Sequence, residues 1–99
     1  MEEVLYYTML YDTYGELLTD KQQNYFQEYY FNNLSLSELA TRHNISRNAI
    51  HKQLKEKIKR LENYEDNLRL AKKNEMLENI VKSISDEEIK RKLQEVISL

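Results

Sequence analysis

The chain contains no cysteine, no proline and no tryptophan, and only one glycine, Gly15, in 99 residues. Without cysteine there is no disulfide framework, no thiolate zinc site and no thiol nucleophile. With so few breakers, long helices are favoured over a fold of strands and tight turns. Alternating apolar and polar strand patterns are missing too. No apolar run approaches the roughly 18 residues of a membrane helix. The start, Met1-Glu2-Glu3, is acidic and lacks the positive region of a leader peptide. A cytoplasmic protein with no membrane contact is therefore expected. At about 100 to 200 residues per domain, the length suits one domain with a modest core.

Chemistry-bearing motifs are scarce as well. There is no GxGxxG, no phosphate-binding P-loop and no HExxH. The two histidines, His43 and His51, lie across a turn and make a poor basis for a metal site. Carboxylates are numerous but spread over helix surfaces, so no acid/base pair stands out. No catalytic residue, metal or cofactor is expected, and the chain does not read as an enzyme.

What is present is a segment of two short helical patterns, LSLSELATRHNISRNAIHKQLKEKIKRL, from Leu34 to Leu61. Ser35 reads as an N-cap with Glu38 three residues on, the two halves of a capping box. Leu34 and Leu39 fit the flanking hydrophobic staple. Leu36, Leu39 and Ala40 share a helical face, and Ala40 is small enough to let two helices cross closely. Asn44 tolerates the left-handed backbone of a tight turn. Ser46 caps the next helix, with Ile45 and Ile50 as its staple. Ile50, Leu54, Ile58 and Leu61 then form one narrow apolar face. The opposite face carries Arg47, Asn48, His51, Lys52, Lys55 and Lys59. Such residues reach phosphates and base edges, and a helix fits the major groove. Turn, paired caps and one-sided basic residues together predict a helix-turn-helix DNA reader. The helix N-termini at Ser35 and Ser46 are candidate phosphate contacts.

The net charge of −2 is unevenly spread. Residues 1–34 hold six acids and one base, residues 35–64 three acids and seven bases, and residues 65–99 eight acids and seven bases. The positive charge is thus concentrated in the helix-turn-helix segment. The acidic ends should weaken binding to a polyanion without abolishing it, since screening acts within about 8 Å at physiological salt.

Before this segment, residues 2–14 read as a helix with Tyr6, Met9, Leu10 and Thr13 on one face. Glu2 and Glu3 occupy its favourable N-terminal turn, and Leu17 follows the turn at Gly15. A second helix starts at the N-cap Thr19, with Gln22 in the box position, and ends near Asn32 or Asn33. Nine aromatic residues precede position 32. Packing in the core is the favoured reading for them, over stacking on single-stranded bases. After Leu61 the apolar spacing is compatible with one long helix, or with two broken near Lys73-Asn74. Ser85, with Glu88 and the pair Ile84/Ile89, is expected to start a last helix. Its face of Ile89, Leu93, Val96 and Ile97 must fold back on the long helix or pair with a second chain.

The run Leu18–Leu61 resembles the fourth region of primary-type bacterial sigma factors. The likeness lies in its Leu-Thr entry, its Leu-Ser-Leu-Ser-Glu-Leu-Ala stretch and its Asn-Ile-Ser-Arg-Asn-Ala-Ile stretch. Over nearly the whole chain it is similar to the small YlxM-type family of bacterial proteins. There a tyrosine-rich front and a Ser-Arg-x-Ala-[IV]-[HY] segment recur; here the segment is Ser46-Arg47-Asn48-Ala49-Ile50-His51. The resemblance implies an all-α helical bundle with a sigma-region-4-like helix-turn-helix, a long fourth helix and a C-terminal helix. By motif position it makes Arg47, Asn48, His51 and Lys52 groove-facing, with Lys55 and Lys59 continuing toward phosphates. It also implies a regulatory link to the signal recognition particle, whose GTPase gene commonly neighbours genes of this family. The expected organisation is a reader domain over 1–61 and a helical extension over 62–99 that is a candidate dimerisation element. DNA is the expected partner. The alternative is a protein- or RNA-interaction module of the secretion machinery.

Overall fold

A computed structural model describes residues 2–99, with side chains from residue 3 onward. The described residues form six helices and no strand. They are α1 (Glu2–Tyr14), α2 (Asp20–Tyr30), α3 (Leu36–His43), α4 (Arg47–Leu68), α5 (Leu70–Val81) and α6 (Glu87–Ile97), with a 3₁₀ turn at Gly15–Leu17. The all-α architecture with a long fourth helix is as expected. The expected placement of the Glu2 carboxylate lies outside the described side chains.

Local chemistry sets most helix starts. Thr19 Oγ1 accepts from the Gln22 amide at 3.3 Å, and Gln22 Oε1 accepts from the Thr19 amide at 3.0 Å. That reciprocal box begins α2 where the sequence places it. α2 stops at Tyr30, two to three residues sooner than expected, and Asn33 takes a left-handed φ of 57° beyond it. The last helix is capped by Asp86 instead of Ser85. The Asp86 carboxylate accepts from both the Glu88 and Ile89 amides. An ionised acceptor facing a helix N-terminus is a stronger cap than the neighbouring hydroxyl.

Two apolar clusters lie along α4. The first joins Leu10, Tyr14, Leu18, Phe26 and Leu61. The second joins Tyr25, Leu39, Ile50 and Leu54. Each fully buried Leu or Phe contributes about 1.5–3 kcal/mol relative to exposure. The buried face of α1 is rotated from the expected one. Leu10 and Tyr14 are buried with Tyr7 and Tyr11 beside them, while Tyr6 is exposed. Likewise Leu18 is buried and Leu17 is not. The reason is the ring of Tyr11, which stacks on Phe26 at 4.5 Å and sets the rotation of α1. Gly15 serves this packing: a Cβ there would meet that ring at 2.9 Å. The aromatics do pack the core, as Tyr14, Tyr25 and Phe26 show.

The helix after the turn neither runs through to residue 84 nor breaks at Lys73-Asn74. It breaks at Arg69, which adopts a left-handed φ of 58°. Buried Glu65 explains the position. Its Oε1 accepts from the Ala71 amide at 3.0 Å and its Oε2 from the Lys72 amide at 3.1 Å, so one side chain caps α5. The Tyr14 hydroxyl donates to Glu65 Oε1 at 2.5 Å and accepts from the Leu70 amide at 3.0 Å. Burial alone would raise the Glu65 pKa. The Tyr14 hydroxyl, the two amides and the Arg69 charge outweigh it and hold the carboxyl below its usual range. Burial, then the bond to Glu65, pushes the Tyr14 phenol up.

α5 and α6 form a hairpin beyond this bend, and the molecule measures 55 × 25 × 24 Å. Within it Val81 is buried against the hairpin, whereas Met76, Ile80, Ile89 and Val96 are about half exposed. No α6 residue is fully buried.

A carboxyl whose folded pKa is depressed stabilises the fold above its unfolded pKa, and that contribution is lost as pH falls through the folded value. Glu65→Gln should therefore cost about 2–3 kcal/mol at neutral pH, as expected for lost hydrogen bonds to a charged acceptor. The deficit should shrink on acidification below the usual carboxylate range, as wild-type Glu65 itself protonates. Urea melts of both proteins across that range read the difference directly.

Candidate nucleic-acid interface

The corner between α3 and α4 is built by short-range bonds. Ser35 Oγ accepts from the Glu38 amide at 3.0 Å, and Glu38 Oε1 accepts from the Ser35 amide at 3.1 Å. At the other end of α3, Asn44 turns the chain with φ 55° and ψ 43°. Its amide donates to Thr41 O at 3.4 Å, and the Ile45 amide to Ala40 O at 3.1 Å. These bonds satisfy carbonyls that the helix end would leave open. Ser46 Oγ then accepts from the Ala49 amide at 3.0 Å, and α4 begins at Arg47. Leu39 on α3 and Ile50 and Leu54 on α4 close on Tyr25 of α2, which locks the three helices together.

A polar clasp adds to this. His43 Nε2 lies 3.0 Å from Glu28 Oε2, and Arg42 reaches the same carboxylate at 3.6 Å. The His43 ring meets Tyr25 edge-on at 4.5 Å. His43 is therefore half-buried between α2 and α3, although it is the last residue of α3. The spacing from Glu28 is the signal that local reading could not use.

All six anticipated contact residues on α4 are exposed: Arg47, Asn48, His51, Lys52, Lys55 and Lys59. They cover less than half the circumference of the helix at its 3.6-residue period. Among the described residues none of their charged groups forms an ion pair. The caps Ser35 and Ser46 are exposed too, with their hydroxyls engaged by their own helices. Other cations of the segment are used elsewhere. Lys57 is turned inward and buried, and Arg60 Nη1 lies 3.5 Å from Gln22 Oε1. The free strip thus consists of Arg47, Lys52, Lys55 and Lys59, with His51 and Asn48 between them.

The sequence reading does not find what lies beside this strip. Tyr7, Tyr29 and Tyr30 face His51, Lys55 and Lys59 across an open cleft of about 420 Å³. Leu36, Leu54 and Ile58 also line it. Residues of four helices, α1 to α4, create it, so spacing within one helix carries no trace of it. Among the described residues there is no cluster of metal-ligating side chains, and no helix is long and apolar enough to cross a membrane.

A short helix and a long one that meet at an asparagine-closed corner, with the second basic and open to solvent, define a helix-turn-helix protein. The chain belongs to the UPF0122 family, described as "Putative helix-turn-helix protein, YlxM / p13 like", whose model matches residues 1–98. Among its relatives, the UPF0122 protein of Clostridium acetobutylicum is 46% identical over 86 residues, which is 87% of this chain and 74% of the relative. That of Malacoplasma penetrans is 42% identical over 88 residues, covering 89% and 82% of the two chains. That of Lactococcus lactis is 42% identical over 92 residues, covering 88% and 83%.

The turn makes a direct demand on residue 44. A left-handed backbone costs an ordinary L-residue about 1–2 kcal/mol, but glycine nothing. Asn44→Val should lower stability by at least that amount, while Asn44→Gly should leave it within about 0.5 kcal/mol. Thermal unfolding of the two variants checks the ordering.

Proposed function

We propose that this chain is a DNA-binding regulator that lays the first turns of α4 in a major groove. The observation that carries the reading is the strip Arg47–Lys59, exposed and free of ion pairs on the second helix of the corner. A major groove about 12 Å wide accepts one helix. Arg47 and Asn48 stand in its first turn, where recognition helices contact base edges. Arginine suits the O6/N7 edge of guanine and asparagine the N6/N7 edge of adenine, each worth about 1–3 kcal/mol when bidentate. His51 and Lys52 lie one turn on. Lys55 and Lys59 then follow the helix out toward phosphates, and the amides behind Ser35 and Ser46 face the backbone. Residues 1–61 act as the reader and 62–99 as an extension. The protein works by binding, without catalysis, in the cytoplasm.

A second reading has its own observation. The α5–α6 hairpin leaves Met76, Ile80, Ile89 and Val96 half exposed. Such a surface supports a protein partner: a second copy of this chain joined through 62–99, or a component of the signal recognition particle. In that setting the basic strip binds a polyanion of either kind, including A-form RNA.

Arg47→Ala with Lys52→Ala should abolish gel-shift binding to selected DNA while the helical circular dichroism spectrum is kept. Unchanged binding removes α4 as the reader. With some four to six phosphate contacts, log affinity against log salt should have a slope of about −4 to −5. A flat response would mean that the strip is idle. If the chain pairs through its extension, DNA selected from random fragments should contain two half-sites about one helical turn apart.

A further inference from the structure

The open cleft flanking the basic strip has three parts of different chemistry. Its far wall is aromatic. Tyr29 and Tyr30 meet edge-on at 4.9 Å, and Tyr7 stands 6.0 Å from Tyr30. One rim is polar and basic, with the Lys55 and Lys59 charges on successive turns of α4 after the His51 ring. Glu62 lies one turn beyond Lys59, at the end of the same helix face. From position 51 to position 62 the helix rises about 16 Å, room for a base with its sugar and phosphate. The volume of about 420 Å³ is that of a small-ligand site.

The phenols are poised as donors. Among the described residues no group hydrogen-bonds the Tyr29 or Tyr30 hydroxyl, and no buried side-chain polar atom lacks a partner. Both hydroxyls are therefore open to water, and both side chains line the cleft. Burial, then the neighbouring Tyr29 and Tyr7 phenols and Glu3, pushes the Tyr30 hydroxyl up to about 12. It stays neutral and able to donate at any physiological pH.

We infer that this cleft receives an unpaired nucleic-acid base, stacked on the Tyr29 ring with the perpendicular Tyr30 phenol at its edge and its phosphate held by Lys55 and Lys59. The inference rests on the nucleic-acid reading above and adds a second kind of contact to it. Aromatic faces stack on any base, and a cationic edge tracks the backbone. The charge order within the cleft sets the direction. The two lysines attract the phosphate, and Glu62 repels it and faces a base edge that carries N–H donors. A wholly apolar partner would leave the lysines and phenols unmatched, which favours a ligand with a ring at one end and an anion at the other. Two sources supply that chemistry: an overhang or bulge in the bound strand, or a free nucleotide.

The absence of tryptophan gives the test its readout, because all intrinsic emission comes from eight tyrosines. The full chain is titrated with a blunt duplex, the same duplex with a short single-stranded overhang, a hexanucleotide, and adenosine monophosphate. The overhang should bind about ten-fold more tightly than the blunt duplex and quench tyrosine emission. Tyr29→Leu should bring the overhang-to-blunt affinity ratio close to one. Tyr30→Phe, which keeps the ring and its core packing, should reduce the ratio by a smaller factor through loss of the donor alone. If Tyr29→Leu does not fold, ring resonances of Tyr29 and Tyr30 in the wild-type chain serve instead and should shift with the overhang only. Saturable quenching by adenosine monophosphate, lost in the same variants, would identify a free nucleotide as the source and support the cleft. Hexanucleotide binding with quenching but no duplex binding would sink the groove-reading helix while leaving the cleft standing. Equal affinity for blunt and overhang duplexes, with no change in emission or in the two tyrosine rings for any ligand, would overturn the inference.

Discussion

A single buried carboxylate organises the joints of this molecule. Glu65 takes the Tyr14 hydroxyl from α1 and the first amides of α5 at once. Three helices therefore meet at one charged group, which stays ionised although buried because every donor around it favours the charge. The bend at Arg69 follows from this. An arginine in the left-handed region is unfavourable by itself, and the bend persists because the carboxylate beneath it gives the freed amides a partner. The direction in which the α5–α6 hairpin leaves the core is thus decided by a side chain on α4 and a phenol on α1.

The same joint matters for the basic strip. α4 is about 33 Å long at 1.5 Å per residue, and the strip ends at Lys59, just past its midpoint. Its second half is held by Leu61 in the first apolar cluster and by Glu65 at the bend. Its first half is held by Ile50 and Leu54 in the second cluster. With the inner face fixed at both ends, the lysines cannot rotate inward, and the opposite arc stays with solvent. Net charge is a poor guide here. The acidic residues of the N-terminal segment are spent partly on the α2–α3 clasp, as Glu28 shows with His43 and Arg42, and are not laid over the strip.

Features decided within about four residues were legible in the sequence. Thr19 with Gln22, Ser35 with Glu38, Ser46 and Asn44 all stand where the residue pattern put them, because each bond is made to a neighbour along the chain. Features decided across the chain were not. Glu65 looks like one more surface carboxylate until Tyr14, 51 positions earlier, is placed against it. His43 reads as a helix end until Glu28 is placed beside it. The buried face of α1 lies about one position from the periodic one because Tyr11 stacks on Phe26, an interaction that periodicity cannot express. At Ser85 and Asp86 two adequate caps compete, and the carboxylate, holding two amides, prevails over the residue that completes the box pattern. The strip on α4 was legible because helical spacing alone determines which residues share a face. The tyrosines opposite it were not, since they come from two other helices.

This difference bears on how Lys55 and Lys59 are to be understood. From the sequence they are the tail of a groove-reading face. In the fold they are also the rim of a tyrosine-walled cleft, with His51 at one end and Glu62 at the other. One side chain can serve both settings, because a lysine has a long flexible stem and a charge that needs no fixed geometry. Arg47 is different: it lies outside the cleft lining, and its planar fork rewards one rigid partner. The strip therefore divides by chemistry into an N-terminal part suited to fixed base edges and a C-terminal part suited to mobile phosphate. A helix interrupted at residue 61 could not join the two, for the far rim of the cleft is Glu62, on the segment that Glu65 anchors.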